Sequence, residues 1–145
     1  MPSVFTSSVI PADADRVWAA IRDFNALPDW HPGIAESRIE DGLPGDAVGC
    51  VRNFTLTDGG QLREQLLGLD DRARRCVYGI LESPMPLWNY VAVLRLLPIT
   101  DGARCYAEWT AEFECAPDDA ANLVETVGNG VFQGGFDALK DRFGG

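Results

Sequence analysis

The sequence predicts a single α+β domain in which a curved antiparallel sheet of seven strands wraps one long C-terminal helix, with one or two short helices after the first strand. Three observations carry this prediction. Runs with period-two apolar alternation fill the middle of the chain, separated by short Gly, Pro and Asp clusters as a strand meander requires. The closing segment switches to helical spacing. The 145 residues suffice for one substantial core but not comfortably for two, so the domain spans 1–145.

Residues 4 to 10 are rich in β-branched and aromatic side chains and read as the first strand, which Pro11 ends. Asp13 stands where it can cap a helix whose Val17, Trp18 and Ile21 share one stripe. The prolines of NALPDWHPGI then allow one short helical turn at most. Six further strands are expected at 34 to 40, 48 to 56, 61 to 70, 75 to 83, 87 to 99 and 104 to 115. From 118 to 143, Leu123, Val127, Val131, Phe136, Leu139 and Phe143 recur at helical spacing behind a Pro117-Asp118-Asp119 start. Only this last helix is long enough to cover the apolar face of the sheet.

Twelve Lys and Arg against 22 Asp and Glu give a net charge of -10, a field that repels phosphates and anionic lipid and argues against a nucleic-acid partner. No stretch approaches the ~18 apolar residues of a membrane span, and the first residues lack a basic segment followed by an apolar run. A cytoplasmic location and no membrane association are the resulting expectations. Cys50, Cys76, Cys105 and Cys115 lie in apolar segments with no CxxC pair and a single histidine in the chain, so they read as small buried hydrophobes and no metal site is expected. No glycine-rich phosphate loop or other cofactor motif occurs, and no cofactor is expected. The oligomeric state is open, a homodimer included.

The stretch CVRNFTLTDGGQLREQL reads as a hairpin. A two-residue Asp58-Gly59 turn would pair Phe54 with Arg63 and Arg52 with Gln65, sending unlike faces inward. A three-residue loop, Thr57-Asp58-Gly59 with Gly59 left-handed, instead pairs Leu56 with Gly60, Phe54 with Leu62, Arg52 with Glu64 and Cys50 with Leu66. Every apolar residue then shares one face, and so do Arg52 and Glu64. Opposed side chains lie about 5 Å apart, so these two should form an ion pair on the inner face. Desolvation makes such a pair a poor source of stability, which leaves a sheet that is wet at this point, a register-fixing pair, or a function. Gly128, Gly130, Gly134 and Gly135 in the closing helix point to space beneath it, to close packing on the sheet, or to a break near Gly128 to Gly130.

The element order and motifs, from VWAAIRDFNALPDWHP through GCVRNF, REQLLGLD, YGILES and LWNYVAVLRL to EWTAEF, resemble the helix-grip superfamily, also called START-like or SRPBCC, and within it the polyketide cyclase/dehydrase-like group. The resemblance implies a deep hydrophobic pocket between the sheet and the last helix. Within the superfamily, the pocket pattern is similar to that of plant lachrymatory-factor synthases and abscisic acid receptors, whose arginine, glutamate and tyrosine fall on Arg52, Glu64 and Tyr90. The receptors' carboxylate-binding lysine falls on Ala35 and their gate loop is reduced to TDGG, so hormone recognition does not carry over. Another acidic pocket position falls on Glu108, although alternation in CYAEWTAEF puts Ala107, Trp109, Ala111 and Phe113 on the apolar face.

Carrying the alternation outward from Glu64 adds Phe54, Leu62, Tyr78, Ile80, Leu87 and Ala92 to the pocket wall, with Val127, Val131 and Gly135 from the helix. The expected ligand is a small hydrophobic or polyketide-like molecule. As an enzyme, the protein would use Glu64 as general base and then acid, Tyr90 as donor to a developing oxyanion, and Arg52 to orient the carboxylate or bind substrate oxygen. Cyclase, isomerase, dehydratase and aldol-type lyase reactions need only that set. The alternative is a non-catalytic carrier or sensor using the same residues, with Ser83-Pro84-Met85-Pro86 either as its gate or as a rigid connection between strands. A third class, a partner-binding module, would have a filled interior and an exposed apolar patch, for which Val91 and Val93 point outward. His31 in DWHPG could serve a pocket entrance, as the one side chain whose unperturbed pKa is near neutrality, but a lone loop histidine is more often solvated, and that is the expectation here.

Overall fold

The computed structural model of the chain describes residues 1–144. Strand β1 (Ser3–Ile10) is followed by helices α1 (Ala14–Ile21) and α2 (Leu27–Trp30). Six strands come next: β2 (Ile34–Ile39), β3 (Val51–Leu56), β4 (Gln61–Asp70), β5 (Arg75–Glu82), β6 (Leu87–Ile99) and β7 (Arg104–Cys115). The chain closes with 28 helical residues, 117–144. The strands form one antiparallel sheet in the order β1-β7-β6-β5-β4-β3-β2, so every connection after β2 is a hairpin and β1 completes the far edge against β7. This is the α+β helix-grip arrangement expected from the strand meander and long closing helix.

Alternation decides which face is core. On β7, Cys105, Ala107, Trp109, Ala111 and Phe113 are all buried, and on β4 so are Leu62, Glu64 and Leu66. Against them the closing helix buries Leu123, Val127, Phe132, Phe136 and Leu139. Each large apolar side chain removed from water contributes about 1.5–3 kcal/mol, which makes this interface the main cohesive surface. All four cysteines are free, Cys50 and Cys105 buried, Cys76 and Cys115 half-buried. Among the described residues no helix is long and apolar enough to cross a membrane, and no group of three or more His, Cys, Asp and Glu could hold a metal ion.

The structure departs from expectation at two places. Asp13 occupies the position before α1, but its side chain makes no capping bond. The closing helix is not uniform: a 3₁₀ turn (Pro117–Asp119) and α3 (Ala120–Glu125) lead into a π-helical segment (Thr126–Gln133), and α4 (Gly134–Gly144) completes it. The burial pattern gives the reason. Val127 and Phe132, five residues apart, are both fully buried, and the i→i+5 register of a π-helix is the one that brings such a pair onto one face.

Candidate functional site

The β3–β4 hairpin has the register that shares one apolar face: Phe54 opposes Leu62 and Arg52 opposes Glu64. The Leu56 N–H donates to the Gly60 carbonyl and the Leu66 N–H to the Cys50 carbonyl, while Gly59 takes a φ of +95°. Arg52 and Glu64 therefore meet on the concave side. Arg52 Nε and Nη2 both donate to Glu64 Oε1, at 2.9 and 2.6 Å, and Nη1 donates to the Phe24 carbonyl at 3.3 Å. The guanidinium carbon lies 3.8 Å from the Phe24 ring centroid and 4.8 Å from that of Tyr78. Both charged side chains are only 7% exposed. Because both contacts fall on Oε1, Glu64 Oε2 has no protein partner among the described residues.

These groups sit at one end of a cavity of about 820 Å³ between the sheet and the closing helix. That size is ordinary for a small-molecule pocket. Of the expected wall, Arg52, Phe54, Leu62, Glu64, Tyr78, Ile80, Tyr90, Val127 and Val131 line it. Four others do not. Leu87 begins β6 beyond the cavity wall and is half-buried against the core, while the preceding Met85 and Pro86 do line it. Ala92, opposite Tyr78 and Ala111, is fully buried in the sheet core, its methyl too short to reach the open space. Glu108 is turned to the outer face: no bulge interrupts β7 there, and its carboxylate takes a bond from Arg95 Nε at 2.8 Å and one from the Tyr106 hydroxyl at 3.0 Å. Gly135 is a packing residue, since a Cβ there would stand 2.9 Å from Trp109 and 3.0 Å from His31. Gly130, by contrast, faces open space and lines the cavity.

His31 is the main correction. It is buried rather than solvated, and its ring lines the cavity. As the residue before Pro32 it is held extended, with φ −102° and ψ 117°, which ends α2 there. The Gly33 N–H donates to Nδ1 at 3.1 Å, and Nε2 lies 2.7 Å from the Val131 carbonyl. A carbonyl can only accept, so Nε2 carries the proton and the ring is neutral. Burial holds its pKa below the ordinary value, helped by the charge of Arg52 and opposed by the Val131 bond.

Trp109 also lines the cavity, and its indole Nε1 donates to the Tyr78 hydroxyl at 3.0 Å. Inward alternation marked Trp109 as apolar, but its role as a donor to Tyr78 depends on cross-sheet geometry. Thr57, Asp58, Gly60, Pro84, Met85 and Pro86, from the β3–β4 and β5–β6 connections, complete the lining with Asn122 and Thr126 from the helix. Burial pushes the Glu64 carboxyl above the usual carboxylate range, although the charge and bonds of Arg52 pull the other way. Burial likewise raises both phenols, with the negative charge of Glu64 adding to the effect. The arrangement is a buried carboxylate with one oxygen locked and one free, beside two neutral phenols in an apolar hollow.

A family described as "Polyketide cyclase / dehydrase and lipid transport" matches residues 1–144. No curated protein matches the chain. A protein from Thermobifida fusca solved by NMR is 36% identical, with a TM-score of 0.90 over 99% of this chain and 94% of its own. XoxI from Bacillus cereus is 29% identical, with a TM-score of 0.89 over 99% of this chain and 96% of its own. Norcoclaurine synthase from Thalictrum flavum, solved with dopamine and hydroxybenzaldehyde, shares the fold at 18% identity, with a TM-score of 0.75 over 97% of this chain and 84% of its own.

Proposed function

The chain belongs to the polyketide cyclase/dehydrase and lipid transport family, and from that premise we propose that it binds a small, mostly hydrophobic molecule in its internal cavity and catalyses a cofactor-free proton transfer on it. One observation carries this reading: Arg52 fixes Oε1 of Glu64 and leaves Oε2 without a protein partner in a largely apolar cavity. A carboxylate restrained in this way, with its pKa raised by burial, suits a general base.

Glu64 Oε2 takes a proton from carbon beside a substrate carbonyl, the C–H electron pair forms the C=C bond of an enolate, and the carbonyl π pair moves to the oxygen. The Tyr90 hydroxyl donates a hydrogen bond to that developing oxyanion. Arg52 orients the carboxylate and balances its charge. Return of the proton to a different carbon is isomerisation, and its delivery to a departing hydroxyl is dehydration. Attack of the enolate carbon on a second carbonyl is cyclisation or an aldol-type step. The alternative, a non-catalytic carrier or sensor, is favoured by the proline-bearing loop at Pro84–Pro86, which lines the cavity as a gate would.

Native mass spectrometry of the purified protein, followed by incubation of any retained molecule, separates the two readings. Conversion by the wild type and loss of conversion in Glu64→Gln, with the apolar body still bound, is the expected result. A retained molecule that never changes would establish the carrier, and unchanged turnover in Glu64→Gln would remove Glu64 from the mechanism.

A further inference from the structure

We propose that the Arg52–Glu64 pair makes the cavity select ligands whose buried head is a neutral hydroxyl donor and exclude carboxylates, with Glu64 as the specificity-determining residue. The inference rests on the cavity being the ligand site proposed above. It concerns which head group the polar end accepts, whatever happens to the ligand afterwards.

An arginine in an apolar pocket would ordinarily be the anchor for an anionic ligand. Here its charge is already paired with Glu64. Two of its nitrogens donate to Glu64 Oε1 and the third to the Phe24 carbonyl, while Phe24 and Tyr78 lie against the guanidinium. No other cation lines the cavity among the described residues, and the chain's one lysine, Lys140, lies elsewhere. His31 contributes no charge, since Gly33 and the Val131 carbonyl hold its ring neutral. The remaining charges of the lining are the carboxylates of Glu64 and Asp58. A ligand carboxylate brought into this end would lose its water, find no unpaired cation and face the free oxygen of Glu64.

A hydroxyl meets the opposite situation. Its proton can be donated to Oε2, forming a charge-assisted bond in a low dielectric, where such bonds are strongest. Its oxygen can accept from a phenol: Tyr78 takes the Trp109 indole proton on its oxygen, which leaves its own proton to donate. An ether of the same shape would satisfy the phenol but leave Oε2 unmatched. The discrimination therefore lies in one oxygen atom of Glu64.

Calorimetric titration of the full chain, on the alkaline side of neutrality, with 4-butylphenol, 4-butylanisole, 4-butylbenzoate and butylbenzene tests this. The phenol is expected to bind at least ~10-fold more tightly than the anisole and the benzoate, the margin of one hydrogen bond to a charged group. In Glu64→Gln the phenol should lose its advantage, and the benzoate should gain affinity because Arg52 is released. Wild-type affinity for the benzoate equal to that for the phenol overturns the inference. So does equal binding of anisole and phenol, while leaving the cavity as a ligand site. Failure of all four to bind overturns the inference and the proposed ligand site together. Should Glu64→Gln not fold, the wild-type series decides alone.

Discussion

Arg52 is held by its partner carboxylate, by the Phe24 carbonyl and between two aromatic rings, so its charge is paired inside the protein. Removing one member of a buried pair strands the other and costs about 3–5 kcal/mol, whereas replacing both with apolar groups is often neutral. Arg52→Met should therefore lower the unfolding free energy by about 3–5 kcal/mol, and adding Glu64→Leu should restore most of it. Urea unfolding of the single and double variants measures both; a double variant as unstable as the single one would mean that the pair is itself a net source of stability. His31 and Glu64 pull the pH dependence in opposite directions. The folded pKa of His31 is lowered, so below its unfolded value near 6.5 the unfolded chain takes up a proton that the native ring refuses, and stability falls as pH drops through that window. The folded pKa of Glu64 is raised above its unfolded value near 4.5, so stability rises as pH falls through the folded pKa. The two are separable because the chain has one histidine. Its ring signals in an NMR titration should show a midpoint below 6.5, and His31→Gln should flatten the loss of stability on the acid side of that value.

At the scale of elements, the β3–β4 hairpin was readable because strand period is two and a one-residue slip would have sent Arg63 or Gln65 inward; a single register satisfied every side chain. The closing helix was readable as a helix but not as one with a π segment. Its signal was present in the step of five from Val131 to Phe136 among the apolar positions, and in the burial of Val127 with Phe132. Periodicity near 3.6 absorbs one irregular step without protest, whereas a packed sheet does not. The helix glycines show the same limit. Sequence left open whether they made room or allowed close approach, and the structure uses Gly130 for the first and Gly135 for the second. Alanine separates the two roles. Gly135→Ala would drive a methyl into Trp109, His31 and Trp30, at 2.9 to 3.1 Å, and overpacking of this kind costs about 1–3 kcal/mol, more than the helix propensity it gains. Gly130→Ala meets nothing within 4 Å and should be neutral or stabilising by up to about 1 kcal/mol. Thermal unfolding of the two variants should move in opposite directions, and a common direction would contradict the contrast drawn between them.

Over the whole molecule, local pattern sets the sheet and its inner face, while the cavity is a property of elements far apart in the chain. His31 illustrates the difference: its partner Val131 is 100 residues away, and nothing in DWHPG announces that a helix will close over it. Ala92 alternates inward with Tyr90, whereas Leu87 comes to the core side only through the irregularity of β6 between Trp88 and Val91, where Asn89 takes a φ of 55°; alternation reports a face and not a depth, so it could not say that the cavity stops short of either. The volume itself makes a global prediction. A cavity of about 820 Å³ beneath the main cohesive surface leaves the unliganded protein short of contacts that a guest would supply. A ligand present at 100 times its Kd stabilises the native state by about 2.7 kcal/mol, which for a domain of this size corresponds to a rise in Tm of roughly 5–10 °C. A larger side chain in the lining should supply some of those contacts permanently and crowd the ligand. Val131 is suited to this, because its side chain lines the cavity while its bond to His31 comes from the backbone carbonyl and survives substitution. Val131→Phe should keep the unliganded Tm at or above that of the wild type and reduce the shift produced by 4-butylphenol. Differential scanning calorimetry with and without the phenol reads both quantities. A variant that retained the full ligand shift would place the bound phenol away from Val131.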